Sequence, residues 1–181
     1  NQVNANRGSE VIIPQYNLSD LGGFAFVEKS LSKATISGGV RYDNRTIDSK
    51  AFSEGNDVKF GAFKKNFSNI SGSAGISYHP SQTVVIKANA ARGFRAPTLS
   101  ELAANGAHEG TNRYEYGQQN LVSERSLQFD AGADADYEHV SFSVSAFHNR
   151  LKDFIFYSRL QNASGGDSII LDNGEELEAF K

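Results

Sequence analysis

One short segment, Asn105 to Gly117, gathers His108, Glu109, Arg113, Tyr114, Glu115 and Tyr116. Binding residues collect on loops held by rigid scaffolds, and this run lies between two strand-like stretches. Imidazole and carboxylate suit zinc, and a few of them make a transient entry site rather than a closed structural one. His108 and Glu109 are the metal-ligand candidates. They are adjacent, and chain neighbours rarely both point at one ion, so no metal site is assigned and His108 taken alone reads as a solvated loop histidine. His79 and His139 fall in short connections and read as turn residues, and His148, late in a strand, receives no role.

A second group is acidic. Asp130, Asp134 and Asp136 alternate with alanines and so share one side of a strand, and Arg41 and Asp43 sit on the polar side of another. Such a face is too costly to desolvate to be a dry core, and it must meet water. It either attracts cations or hydrates a channel and pairs with arginines of another segment. Catalysis is not expected: the chain has no G-x-S-x-G elbow, P-loop, H-E-x-x-H or dinucleotide fingerprint, and its Ser, His and Asp residues form no recognisable local arrangement of a barrel hydrolase. No cofactor is expected.

The elements that carry these residues alternate with a period of two. Ala34, Ile36, Gly38, Val40 and Tyr42 oppose Thr35, Ser37, Gly39, Arg41 and Asp43. The same pattern recurs over Ile70–Tyr78, Val84–Ala90, Leu127–Tyr137 and from Val140 to Ala146. Leu18–Val27 and Glu175–Lys181 complete seven expected strands, the last one truncated. Connections alternate between short (near Glu28–Lys33, His79–Gln82, Glu138–His139) and long (Asn44–Ser68, Arg95–Arg125, Ser158–Gly174). That regularity is the mark of an outer-membrane barrel, with tight turns at one edge and extended loops at the other. About ten residues per strand, at roughly 3.4 Å each and tilted by about 40°, span about 26 Å, close to the apolar band of such barrels. The alternative is an antiparallel sheet with one solvated face packed on a second layer, as in a soluble β-sandwich module that recognises sugar or protein.

Composition agrees. The 181 residues carry 18 Lys and Arg against 21 Asp and Glu, a net charge of −3 that leaves no basic footprint for nucleic acid. There is no cysteine, hence no disulfide framework, zinc-thiolate site or thiol nucleophile. Mean hydropathy is −0.44 and no apolar run is long enough for a transmembrane helix, which excludes a helical span and not a strand barrel. With no methionine, an Asn1 start and a Lys181 end in mid-pattern, the chain reads as a segment of something longer.

Ala91-Arg92-Gly93-Phe94-Arg95-Ala96-Pro97-Thr98-Leu99-Ser100-Glu101-Leu102 closely resembles the GFRAP…EL signature of TonB-dependent receptors. Gly117-Gln118-Gln119-Asn120-Leu121-Val122-Ser123-Glu124 is similar to the family's G-N-P-x-L-x-P-E stretch, with Gln118-Gln119 and Ser123 in place of the usual residues. Strand-like stretches around Ile13–Tyr16, Gly38–Asp43 and Phe147–Ile155 also look like this family, so the resemblance spans residues 1–181. Physically the motif residues Gly93, Phe94, Arg95, Ala96, Pro97, Glu101, Leu102, Gly117, Leu121 and Glu124 read as architecture. Pro97 stops a strand, Gly93 permits close approach, and Arg95, Glu101 and Glu124 suit ion pairs that pin a long loop.

The resemblance implies an all-β antiparallel meander, part of a barrel of about 22 strands closed around a plug that is absent here. It implies the outer membrane of a Gram-negative bacterium, with membrane lipid, the parent's plug and, through it, a periplasmic energy-coupling protein as partners. The implied function is uptake of a scarce nutrient. The His108 to Gly117 run is similar to the subgroup associated with zinc or haem, so a metal ion or metal complex (zinc, haem or ferric siderophore) is the expected substrate. On this reading Arg41, Asp43, Asp130, Asp134 and Asp136 face the lumen.

Overall fold

The computed structural model describes residues 1–5, 11–108, 111–172 and 174–181. Its strands are β1 (Gln2–Asn4), β2 (Tyr16–Ser30), β3 (Ala34–Ser49), β4 (Phe52–Glu54), β5 (Asp57–Phe60), β6 (Phe63–Tyr78), β7 (Val84–Arg95), β8 (Asn105–His108), β9 (Arg113–Tyr116), β10 (Glu124–Tyr137), β11 (Val140–Lys152), β12 (Ile169–Asp172) and β13 (Glu175–Phe180). One short helix, α1 (Leu99–Ala103), lies between β7 and β8. Seven strands form one antiparallel sheet in the order β1-β2-β3-β6-β7-β10-β11, a meander. Its short connections, β2 to β3, β6 to β7 and β10 to β11, lie at one edge, and everything else at the other.

Directly opposed residues of an antiparallel pair point to the same side, so the register sorts the sheet into two faces. Gly38 pairs with Ala74, and Ile36 with Ile76. In the same rows Ala74 meets Ala90, and Ala90 meets Phe129. This apolar face carries Val27, Ile36, Val40, Ile76, Ile86, Phe129, Phe142 and Val144, all exposed. No second β layer covers it among the described residues, as a sandwich would require. The other face is the one on which α1 sits. Ile47, Phe67, Ala96, Leu99, Leu102 and Ala103 form a buried cluster there, with Ile13, Tyr16, Leu18, Phe63 and Leu121 packed against it.

The two faces exchange character towards the long-loop edge. On β3 the sequence Ala34, Ile36, Gly38, Val40, Tyr42 gives way on the same side to Asn44, Thr46 and Asp48, while the α1 side passes from Ser37, Arg41 and Asp43 to Ile47. On β6 the matching change is from Ile70 to Ser68, Asn66 and Lys64, with Phe67 and Phe63 turning to the α1 side. Asn44, Asn66, Ser68 and Thr46 there form a hydrogen-bonded ladder of 2.8–3.1 Å. This inversion explains why β3 and β6 run on to Ser49 and back to Phe63, through residues whose pattern reads as loop: the alternation persists with its phase reversed.

One expected strand has a different place. Glu175–Lys181 does not join the wall; β13 lies in a separate four-stranded sheet, order β12-β13-β9-β8, where it pairs antiparallel with β12 and parallel with β9. The seventh wall strand is β1, which pairs Gln2–Asn4 with Tyr16–Leu18. The physical reason is burial: Leu177 and Ala179 are 4% and 0% exposed within the loop layer, where a wall strand would show its apolar side. β4 and β5 make a separate hairpin turned at Gly55, whose φ of 62° suits a residue without Cβ.

Candidate functional site

Arg95 ends β7 and points to the α1 side. Its Nε and Nη2 donate to Glu124 Oε2 and Oε1 at 2.6 and 2.9 Å, and its Nη1 donates to both oxygens of Glu101 at 2.8 Å. One planar guanidinium thus joins two carboxylates that are only 15% and 12% exposed, a task that needs several donors in a fixed fork. Each carboxylate has a second duty. Glu101 accepts from the backbone N–H of Thr98 at 2.8 Å while Thr98 Oγ1 accepts from Glu101 N, a capping box that starts α1. Glu124 accepts from the backbone N–H of Ile155 at 2.6 Å, which ties down the chain just after β11.

The rest of the motif closes around this centre. Ala96 and Pro97 are buried, and Leu102 is 0% exposed in the cluster under α1. Gly117 donates its N–H to Ala104 O at 2.7 Å, and Gln118 donates to Glu101 O at 2.7 Å. A Cβ on Gly117 would overlap the backbone of Leu102, Ala103 and Ala104, so only glycine permits this approach. Gly93 is tight as well, since a Cβ there would stand 2.8 Å from Ser126 Oγ. Phe94 pairs with Arg125 on the apolar face, and Leu121 packs on the cluster. Asn69 reaches across from β6 to donate to Ser123 Oγ at 3.1 Å. The two motif stretches are therefore one interlocked block.

That block carries the loop layer with the candidate ligand residues. β8 and β9 form a hairpin in which His108 opposes Arg113 and Gly106 opposes Glu115, which puts His108, Arg113 and Glu115 on one side and Tyr114 and Tyr116 on the other. The six candidates do not converge on one point. His108 Nδ1 is 3.2 Å from Thr111 Oγ1. Arg113 lies 5.1 Å from the centroid of Phe180, a cation–π contact that holds β9 to β13. Tyr114 donates to Asn105 Oδ1 at 3.0 Å and its ring lies 4.9 Å from that of Tyr116. Glu115 is buried. Glu109 lies outside the described residues. Among the described residues no three His, Asp or Glu side chains are placed to hold a metal ion.

A cleft of about 250 Å³ opens on the Tyr116 side, lined by Glu101, Tyr116, Leu121, Phe154, Phe156 and Tyr157. Burial, with the Glu115 carboxylate next in effect, raises the pKa of Tyr157, and burial does the same for Tyr114, so both phenols stay neutral hydrogen-bonding groups. Tyr157 and the Ile155 amide escaped sequence reasoning. The signal was the run Phe154-Ile155-Phe156-Tyr157, four apolar or aromatic residues in a row where a solvated loop would break them up.

The acidic row has its partners on the same face. Asp134 pairs with Lys87 at 2.6 Å and accepts from Ser143 at 2.7 Å; Asp136 accepts from Ser141 at 2.5 Å, and Asp130 from Gln128 at 2.8 Å. Arg41 and Asp43 pair with each other. All five residues share the face that bears α1.

With this geometry, the family described as TonB dependent receptor-like, beta-barrel, matches residues 1–176, and the chain belongs to it. These barrels are receptors and transporters rather than enzymes. Among solved structures, the chain is similar to the hemophore receptor HasR of Serratia marcescens, determined as a double mutant with its hemophore HasA and heme. The TM-score is 0.70 at 16% identity, over 87% of this chain and 29% of that one. It is also similar to the copper transporter OprC, with a TM-score of 0.65 at 14% identity over 92% of this chain and 24% of that one. At these identities the likeness speaks for the fold, and the chain spans less than a third of either structure.

Proposed function

We propose that this chain is part of the wall and outer loop platform of an outer-membrane receptor that takes up a metal ion or metal complex in a TonB-dependent way. The apolar face meets lipid, the α1 face meets the lumen, and the loop layer covers the barrel mouth. The phase inversion carries this reading. Below it the outer side is apolar and the inner side polar, as between lipid and a water-filled lumen; above it the outer side is polar and the inner side packs on loops. On β10 the apolar side runs from Leu127 to Tyr137, about 34 Å along the strand and about 26 Å across a membrane at a tilt of about 40°.

Arg41, Asp43, Asp130, Asp134 and Asp136 then line the lumen beside a plug supplied by the rest of the parent, which couples to a periplasmic energy-transducing partner. Tyr116, with the cleft beside it, and the exposed edge of the β8–β9 hairpin with His108 are the substrate-facing parts of the platform. Zinc, haem and a ferric siderophore are the candidate cargoes. Deleting the parent gene should cost growth when one of these is the limiting source and spare growth when it is plentiful. Undiminished growth on all three would reject a metal cargo.

A further inference from the structure

The boundary where the outer face turns polar is not uniform along the sheet. On β3 and β6 the residues just above it are neutral, Asn44 and Thr46 beside Ser68 and Asn66. On β7, β10 and β11 basic side chains already occupy the last rows of the apolar side: Arg92, Arg125, His148, Arg150 and Lys152. The register places them together. Arg92 and Arg150 flank Leu127 in one row, His148 opposes Phe129 in the row below, and Arg125 opposes Lys152 in the row above. All five are exposed, and the same face of these three strands holds no Asp or Glu along its length. The ion pairs of the neighbouring region run on the other face, where Arg95 meets Glu101 and Glu124 and Lys87 meets Asp134. Among the described residues, no carboxylate is paired with any of the five.

Four Arg and Lys side chains with no carboxylate paired to them among the described residues, set at the upper edge of an apolar wall beside Leu127, Phe129 and Phe94, suit an anion that comes with the membrane itself. We propose that this patch binds the phosphates of an outer-leaflet glycolipid, with the acyl chains lying against Phe129, Ala131 and Val144 below and the phosphates held by Arg92, Arg125, Arg150 and Lys152. Arginine forks match phosphate oxygens in pairs, and the long stems of Arg and Lys let the charged ends rise from the apolar surface to headgroup level. Arg92 and Arg125 lie on β7 and β10, inside the β11 edge, so a strand paired at that edge does not cover them. The inference rests on the proposed lipid-facing side of the sheet.

The test uses the full-length parent receptor, purified in neutral detergent and titrated with bisphosphorylated lipid A, with its dephosphorylated form, and with inorganic phosphate. The phosphorylated lipid should bind at least tenfold more tightly than the dephosphorylated one, should not be displaced by an equal concentration of inorganic phosphate, and should weaken as salt rises. R92Q/R125Q/R150Q/K152Q should remove the preference, while R150K should keep most of it. Equal binding of both lipids by the unaltered receptor, or a preference untouched by the fourfold variant, overturns the proposal; displacement by inorganic phosphate overturns the lipid as its source. If the fourfold variant does not fold, the comparison of the two lipids on the unaltered receptor still decides. A nitroxide at Val144→Cys in liposomes separates the premise: oxygen contact there with no phosphate preference sinks the headgroup site alone, whereas no oxygen contact sinks the lipid-facing assignment beneath it.

Discussion

Arg95→Ala should destabilise the loop layer by about 3 kcal/mol, at the low end of what breaking a buried charge cluster costs because the guanidinium itself is 41% exposed. The loss is large because the substitution leaves two nearly buried carboxylates facing each other without a cation. Glu101 would have to release either the start of α1 or its charge, and Glu124 would retain only the Ile155 amide. Arg95→Lys should recover only part of the loss, since an ammonium cannot serve both carboxylates with a fork. The measurement is hydrogen exchange on the intact receptor: amides of α1, Gly117, Gln118 and Ile155 should lose protection together, while the centre of β10 keeps its own. Unchanged protection at Ile155 would separate that segment from the block.

Ala133→Arg should cost about 2–4 kcal/mol in liposomes, because Ala133 lies between Ile86 and Val144 on the apolar face near mid-height of β10. The next residue gives the contrast. Asp134 is 38% exposed on the opposite face, and Asp134→Asn keeps a polar partner for Ser143 while losing only a solvent-screened pair with Lys87, so its cost should be small. Denaturant unfolding of the two variants in the same liposomes should therefore differ clearly. Similar costs at both positions would count against one side meeting lipid and the other water.

Much of the wall was legible because a barrel strand is written in one-dimensional alternation. Ile36, Val40 and Tyr42 against Ser37, Arg41 and Asp43, or Phe129 and Ala133 against Asp130 and Asp134, fix phase and face before any contact is known. Pairing partners are not written that way. Glu175–Phe180 alternates like a wall strand, yet Leu177 and Ala179 are buried among loops and β13 pairs in parallel with β9, a contact set by tertiary packing. Strand ends were missed at Asn44–Ser49 and Phe63–Asn69 because the alternation reverses there. The Arg95, Glu101 and Glu124 charges suggested an ion-paired loop anchor, but which oxygen meets which nitrogen, and the part played by the Ile155 amide, depend on distances no spacing encodes. His108, Arg113, Glu115, Tyr114 and Tyr116 looked like one cluster because they are close in sequence; a hairpin sends neighbours to opposite sides and divides them.

The most direct test of the account is a nitroxide scan of β10 in the full-length receptor reconstituted in liposomes, which is simplified by the absence of cysteine from this chain. Labels at Ala131, Ala133 and Ala135 should be reached by oxygen dissolved in lipid and shielded from a water-soluble nickel chelate, and labels at Gly132, Asp134 and Asp136 should show the reverse. A period of two with this phase is the predicted result. Uniform accessibility along the strand, or the same period with the phase reversed, would contradict the membrane wall.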